Sequence, residues 1–445
     1  MKALAKSTVA VVGLGYVGSC VAGTLADAGW DVVGLDLDAG LISNLMAGIC
    51  RFQESDLAGL LQRAVREGRL RGTTDYADVS AADVVLITVG TPVWEDGSLA
   101  DEQLRTACSE LGRHLRRGQL VILKSTVPPG VTRNLVLPLL EGGGLKAGAD
   151  FRLAFTPERL AEGTALSELR SFPIVVGGLD RASTEAAADF WAAAFGVRVL
   201  PQDSLEAAEI VKLADNWWID LNIALANELA KFCSLYGVDV LDVIAAANTI
   251  PKNNGYVNIL LPSAGVGGSC LTKDPWMVWQ AARSRALEIL TAPAGRRVND
   301  GMPLFTARTI LDELRGLGKD PAQATVAVLG MAFKNNTGDL RGTPVAAVVE
   351  ALRAAGVQVR VHDPLVDAAE AKKLLGFGLS ATVEETVRGA DCVAVLALHT
   401  VFESLDFAAL PVAGRCLVLD GRAYYSKQKI ASLRQLGYVY RGIGR

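Results

Sequence analysis

The sequence predicts an α/β protein: two doubly wound parallel-sheet domains joined by a long central helix and a helical domain. Three observations carry this. Strand-like apolar runs alternate with helical stretches at both ends of the 445-residue chain, the order of a parallel sheet with crossover helices. The runs are continuously apolar rather than alternating, as in strands covered on both faces. Between the two ends, Leu205–Tyr236 contains no Pro or Gly, and a helix of ~30 residues spans about 45 Å.

In the first stretch the predicted strands are Thr8–Val12, Asp31–Leu35, Val84–Val89, Leu120–Leu123 and Arg152–Phe155, with helices Val17–Ala28, Leu57–Glu67 and Gln103–Leu115 between them. Gly237 is expected to end the long helix, and Leu241–Ala247 to begin another. The strand pattern returns at Thr325–Leu329, Gln358–Val361, Cys392–Leu398 and Cys416–Leu419, with a helix at Val345–Ala355. The expected domains are 1–202, 203–300 and 301–445.

Composition narrows the function. Half the residues are hydrophobic and 21% are charged, which suits a large core. The net charge is −4 and no basic run occurs, so a nucleic-acid partner is not expected. Seven cysteines, widely spaced and without a CxxC, argue for a reducing, cytoplasmic setting and against a disulfide scaffold. Three scattered histidines argue against a metal site. Met1–Lys6 is lightly basic and Ser7–Ala26 uncharged, like a leader or membrane span. Glycines at 13, 15, 18 and 23 interrupt that segment, and no membrane association is expected.

Gly13-Leu14-Gly15-Tyr16-Val17-Gly18 follows the first strand and opens a helix. Gly13 permits the tight turn, Gly15 lets backbone approach a pyrophosphate, and Gly18 allows close helix–sheet packing. The helix N-terminus then offers unpaired N–H groups to phosphate. Asp36 ends the next strand, where a carboxylate accepts from ribose hydroxyls and repels a 2′-phosphate, favouring NAD over NADP. Val89-Gly90-Thr91-Pro92 and Lys124-Ser125-Thr126-Val127-Pro128-Pro129-Gly130 each follow a strand. They read equally as cleft-lining loops or as ordinary turns.

Thr156-Pro157-Glu158-Arg159-Leu160-Ala161-Glu162-Gly163 places two carboxylates four apart. They suit general acid/base work or, equally, are solvated charges at a helix start. Lys212 and Asn216 lie one turn apart in the long helix. A lysine facing a cleft stabilises an oxyanion, although a packed surface stem is its commoner role. Gly265-Val266-Gly267-Gly268-Ser269-Cys270-Leu271-Thr272-Lys273-Asp274-Pro275-Trp276 is the most informative stretch. Its glycines are expected to free backbone N–H groups for a ligand. Asp274-Pro275 reads as an N-cap followed by Pro at the first helical position. Cys270, before that helix and near Lys273, suits a thiolate nucleophile, whereas most cysteines are small buried hydrophobes. In the last third, Lys334 and Arg341 lie in Gly330–Arg341 after a strand, and Arg422 lies in Asp420-Gly421-Arg422 after another. These cations suit phosphate or sugar oxygens.

Together, GLGYVG, VGTP, KSTVPPG, TPERLAEG, EIVKLADN, GVGGSC–TKD, GMAFKNNTGDLR and DGR resemble the UDP-glucose/GDP-mannose dehydrogenase family, in order along nearly the whole chain. The resemblance implies two Rossmann-like domains, N-terminal for NAD and C-terminal for a nucleotide sugar, and a helical domain that makes a homodimer or larger homo-oligomer. It implies a four-electron oxidation of a sugar C6 hydroxyl, through a thiohemiacetal and thioester on Cys270. Lys212 and Asn216 then hold an oxyanion or water, Asp274 assists proton transfer, and Glu158 or Glu162 acts in hydrolysis. Tyr16, Val17, Gly90, Thr91, Thr126, Glu162 and Arg341 join the glycine loop and Asp36 at the cofactor. Glu158, Lys212, Asn216, Tyr256, Asn258, Gly267, Lys334 and Arg422 contact the substrate.

Gly-Gly-Ser-Cys followed by Lys273-Asp274 looks like the UDP-glucose branch, the favoured substrate at this point. Val257-Asn258-Ile259, Gly265-Val266-Gly267-Gly268 and Asp274-Pro275-Trp276 look like the branch acting on UDP-N-acetylhexosamines, where Arg commonly occupies the position of Tyr256. Two other readings are a two-electron hydroxyacid dehydrogenase of the related helical-dimer type, which needs neither Cys270 nor the third domain, and a non-catalytic nucleotide-responsive regulator, which binds without turnover.

Overall fold

The computed structural model describes residues 7–252 and 255–445; the basic Met1–Lys6 lies outside them. The chain forms two compact units. One runs to Asp215 and adds Trp276–Leu287, and the other comprises Asn216–Pro275 with Glu288–Arg445.

The first unit is built on β1 (Thr8–Val12), β2 (Asp31–Leu35), β3 (Leu70–Thr73), β4 (Val84–Ile87), β5 (Leu120–Leu123), β6 (Arg152–Phe155), β7 (Ile174–Gly178) and β8 (Val199–Gln202). Their order is β3-β2-β1-β4-β5-β6-β7-β8, parallel except for β6 against β7. Val9 and Val11 pack into one apolar layer and Ala10 and Val12 into the other. Two filled faces explain the uninterrupted apolar runs, and each fully buried Val or Leu contributes roughly 1.5–3 kcal/mol. Three of these strands escape the sequence pattern. β3 (LRGT) and β8 (VLPQ) are the sheet edges, where polar residues and Pro are tolerated. β7 ends in two glycines.

The order reverses between β1 and β4. Ligands of open α/β sheets bind beyond the carboxyl ends of the strands at such a point.

In the second unit, β11 (Thr325–Leu329), β12 (Gln358–His362), β13 (Cys392–Val395), β14 (Leu417–Asp420) and β15 (Val439–Gly442) form an all-parallel sheet, β12-β11-β13-β14-β15. Its switch point lies between β11 and β13. The expected strand Cys392–Leu398 stops at Val395, because the next residues turn to bond Asn335 and Asn336. A small antiparallel pair, β9 (Pro251–Lys252) and β10 (Gly255–Tyr256), precedes the Cys270 loop.

The long helix spans Leu205–Leu235. Gly237 ends it in the left-handed region, φ +65°, and the Val238 N–H closes back on the Cys233 carbonyl at 3.1 Å. Among the described residues no helix is long and apolar enough to cross a membrane.

Candidate active site

In the first unit the three fingerprint glycines have separable roles. Gly13 sits at φ +93°, a conformation strained for any other residue. A Cβ on Gly18 would lie 1.9 Å from the Gly13 carbonyl oxygen, so the helix Tyr16–Asp27 meets the turn with no room for a side chain. A Cβ on Gly15 would meet nothing within 4 Å. That open approach, at a helix N-terminus, is what a pyrophosphate requires. Asp36 Oδ2 accepts from the Leu14 N–H at 2.7 Å, so the acidic residue also braces the turn. A cleft of about 480 Å³ beyond β1 and β4 is lined by Gly13, Gly15, Asp36, Arg51, Gly90 and Gln103, among others. Its size and donor set fit the dinucleotide. Arg51, Tyr76 and Gln103 also line it and stand in no motif, so they were not legible in the sequence. Thr91 is buried and Thr126 and Val17 are half-buried.

Tyr16 turns its phenol to Glu54, whose Oε2 also accepts the Gly163 N–H at 2.6 Å. Burial, then the bond to Glu54, pushes the phenol well above its ordinary pKa. Tyr16 thereby ties the glycine turn to the Glu162-Gly163 end of the carboxylate loop. Glu162 is half-buried.

Residues 156–163 are not a helix start; the helix begins at Ala165. Glu158 is not a solvated charge either. Its Oε1 accepts from the N–H groups of Arg159 and Leu160 at 2.7 and 3.0 Å. Its Oε2 lies 3.2 Å from Lys124 Nζ, a side chain only 4% exposed, whose ammonium also sits over the Trp191 ring at 4.9 Å. Lys124 is a counter-ion that the motif contains but no spacing rule reveals. Glu209 on the long helix is fully buried and accepts from Gly130 N, Thr132 N and Thr132 Oγ1 at 2.6, 2.9 and 2.6 Å. It fixes the Lys124–Gly130 loop, and burial raises its pKa against those bonds. Lys212, on the same helix, is 7% exposed rather than a surface lysine.

In the second unit, Cys270 is exposed, alone among the seven cysteines; Cys50 is half-buried and the rest are buried. Its carbonyl accepts from Asp274 N at 2.9 Å in the turn before the helix Asp274–Arg283. Asp274 is the first helical residue rather than the residue before it. Its buried carboxylate takes the Asn216 amide on one oxygen and Lys273 Nζ, at 2.7 Å, on the other. The Lys273 cation is therefore directed at Asp274 instead of the thiol.

Two glycines of this loop leave room for a neighbouring side chain. A Cβ on Gly267 would lie 2.6 Å from Phe333 Cβ, and one on Gly268 2.9 Å from the Phe333 ring. Gly268 N donates to the Arg341 carbonyl at 2.9 Å. The Cys270 loop thus lies directly on the loop that carries Lys334 and Arg341. Arg422 joins them by donating to the Phe333 carbonyl. The Arg341 guanidinium is held on Asp339 at 2.8–3.0 Å. Asn336 donates its N–H to His399 Nδ1 at 2.8 Å, and His399 Nε2 meets Asp363 at 2.9 Å. This buried pair, 1% and 4% exposed, anchors the cation-bearing loop and has no sequence signal. Asn222 and Asn248 clasp 258–260 through its backbone, while Tyr256 is exposed.

Three family models match: the NAD binding domain of the UDP-glucose/GDP-mannose dehydrogenase family at 7–194, its central domain at 206–301 and its UDP binding domain at 327–427. UDP-N-acetyl-D-mannosamine dehydrogenase of Pyrococcus horikoshii is 33% identical over 98% of this chain and 99% of its own. A solved structure of the Pyrococcus horikoshii UDP-D-ManNAc dehydrogenase superposes with TM-score 0.88, at 32% identity and with 98% and 99% of the two chains covered. NDP-N-acetyl-D-galactosaminuronic acid dehydrogenase of Ralstonia nicotianae is 33% identical over 96% and 98%. A UDP-glucose dehydrogenase structure from Pyrobaculum islandicum, 31% identical, covers 100% and 99% at TM-score 0.88. With a fingerprint cleft in one unit and an exposed cysteine packed on a cationic strand-end loop in the other, the chain belongs to the UDP-glucose/GDP-mannose dehydrogenase family and is an NAD-dependent nucleotide-sugar dehydrogenase.

Proposed function

We propose that the chain oxidises the C6 hydroxyl of a UDP-N-acetylhexosamine to a carboxylate, consuming two NAD⁺ and one water. UDP-glucose is favoured by Gly-Gly-Ser-Cys and Lys273-Asp274 and by the likeness to the Pyrobaculum islandicum structure. The relatives at 33% identity are named for N-acetylated sugars, so the N-acetylhexosamine reading replaces it. The observation that carries the chemistry is the exposed Cys270 turn, followed directly by an Asp274 clasped by Asn216 and Lys273.

NAD⁺, which the Gly13–Gly18 turn and Asp36 would hold, would supply the hydride acceptor for each of the two oxidations. Cys270 Sγ adds to the C6 aldehyde, giving a thiohemiacetal whose oxidation leaves a thioester. Water then displaces the sulfur, releasing the carboxylate. Lys212 and Asn216 stabilise the oxyanion or hold that water, Asp274 moves protons, and Glu158 or Glu162 assists hydrolysis. Lys124 keeps Glu158 in place for this. Lys334 and Arg422 take the nucleotide diphosphate, and Tyr256, Asn258 and Gly267 lie toward the sugar. Arg341 and Thr126 serve the cofactor.

Residues 1–202, 203–300 and 301–445 act as cofactor, helical and nucleotide-sugar domains. The long helix leaves Trp218, Leu225 and Phe232 exposed at heptad spacing, each by 51–57%, a stripe suited to a second copy in a homodimer. Free cysteines and an NAD cofactor suit the cytoplasm.

The test is NADH formed per sugar consumed, over UDP-N-acetylmannosamine, UDP-N-acetylglucosamine, UDP-N-acetylgalactosamine and UDP-glucose. Two NADH with an N-acetylated sugar is the expected result. One NADH defeats the thioester route, and a preference for UDP-glucose defeats the substrate assignment.

A further inference from the structure

Both ends of the loop that carries Cys270 are tied to one buried polar network inside the second unit. Its members are Asp220 and Asn227 on the long helix and Arg296 and Asn299 on the helix Thr291–Asp300, each at most 1% exposed. Arg296 Nη1 donates to Asp220 Oδ1 at 2.6 Å and to the Leu271 carbonyl at 3.2 Å. Asn299 Nδ2 donates to Asp220 Oδ1 at 2.8 Å, and its Oδ1 accepts from Asn227 Nδ2 at 2.9 Å. Asn227 Oδ1 in turn accepts the Ser263 N–H at 2.7 Å. An unbroken path of four side chains therefore runs from Ser263 to Leu271, the residue after Cys270.

Between those anchors the local bonds run from Ser263 Oγ to the Gly265 carbonyl at 2.8 Å and from Thr272 Oγ1 to the Gly268 carbonyl at 2.6 Å, in a stretch rich in glycine. Gly265 and Gly268 are at φ +142° and +88°, and Gly residues retain the most backbone freedom. A buried ion pair is weak evidence of stabilisation, since apolar residues of similar volume often serve as well. What an apolar pair cannot supply is a donor for the Leu271 carbonyl. Nor does lysine replace the planar fork that lets one guanidinium serve Leu271 and two carboxylates, Asp220 and Asp300.

We propose that Arg296, Asp220, Asn299 and Asn227 are positioning residues that set where the Cys270 sulfur stands, by holding the loop at both ends. The effect on rate rests on Cys270 being the nucleophile; the effect on the loop does not.

The experiment uses the full chain. Arg296→Lys keeps the charge but not the fork. The double variant Arg296→Met/Asp220→Leu removes both charges, so no unpaired charge is buried, and circular dichroism checks that it folds. Hydrogen exchange by mass spectrometry is read at 263–272, together with kcat, KM for the UDP-sugar and the NAD Kd. In the double variant we expect exchange at 263–272 to accelerate at least fivefold while the remainder of the second unit is unchanged. We expect kcat to fall at least tenfold with the NAD Kd within twofold, and Arg296→Lys to fall between it and the wild type. Wild-type exchange in the loop overturns the proposal. So does equal loosening throughout the second unit, which marks a merely structural role. A loosened loop with unchanged kcat overturns the effect on rate. The separate variant Cys270→Ser reports whether the nucleophile reading itself has failed.

Discussion

Gly15→Ala and Gly18→Ala should separate a glycine that makes room for ligand from one that makes room for protein. At Gly15 the backbone is φ −59°, ψ −169°, which alanine adopts without strain, and the added methyl meets no protein atom within 4 Å. Its cost should fall on the bound dinucleotide. Displacing the pyrophosphate from the helix N-terminus forfeits up to ~2 kcal/mol, with close backbone contacts besides, so the NAD Kd should rise at least tenfold. The melting temperature without ligand should stay within about 2 °C of wild type, as for a surface substitution that breaks no packing. At Gly18 the methyl carbon would stand 1.9 Å from the Gly13 oxygen, against 3.4 Å for ordinary contact. The helix must retreat by about 1.5 Å, and overpacking of that kind costs typically ~1–3 kcal/mol. Gly18→Ala should therefore lose both thermal stability and NAD binding. The assays are calorimetric titration with NAD and ligand-free thermal unfolding. A Gly15→Ala protein that binds NAD with the wild-type Kd would refute the placement of the pyrophosphate. A Gly18→Ala protein with unchanged unfolding would refute the packing argument.

Cys270→Ser should abolish carboxylate formation, by at least ~10³-fold as for removal of a covalent nucleophile, with the NAD Kd unchanged; undiminished acid in product analysis excludes Cys270 as the nucleophile. Asp36 should impose at least a hundredfold preference for NAD over NADP in kcat/KM, and comparable efficiencies would contradict its ribose role. Glu209→Leu strands the Gly130 and Thr132 donors and should destabilise by roughly 2–4 kcal/mol; a denaturant midpoint equal to wild type would show that these bonds contribute nothing. Burial raises the Asp363 pKa, but the bond from His399 and the backbone N–H groups of Met331 and Leu365 outweigh it, leaving the pKa below 3.8. The stability it adds is complete above 3.8 and is lost as pH falls through the depressed value. The gap in stability between wild type and Asp363→Asn should thus be widest near neutrality and narrow as pH falls below 3.8; a gap in circular dichroism that does not narrow below that pH sinks this assignment.

The two parallel sheets, the long helix and the fingerprint turn were legible because each is a local pattern. Continuous apolar runs follow from burial on both faces, Gly237 from a left-handed helix end, and Gly13, Gly15 and Gly18 from spacing. The edge strands β3 and β8 were not legible, since an edge need not be apolar. Residue types alone also brought Cys270, Asn216 and Asp274 into view, but not how they are joined. The spacing reads Asp274 as a helix cap, whereas its carboxylate holds Asn216 and Lys273. The spacing also does not reveal that Gly267 and Gly268, beside Cys270, leave room for Phe333.

What tertiary structure decided are the partnerships between residues far apart in the chain. Lys124 with Glu158, Glu209 with Thr132, His399 with Asn336, and Arg296 with Leu271 are each separated by 25 to 77 positions. No periodicity links such pairs. A buried charge or donor has to be matched, because leaving it unmatched costs more than the bond returns, but which partner matches it depends on where the packed strands and helices bring the backbone. The sequence thus determined which chemistry this protein carries; the fold decided which side chains hold that chemistry in place.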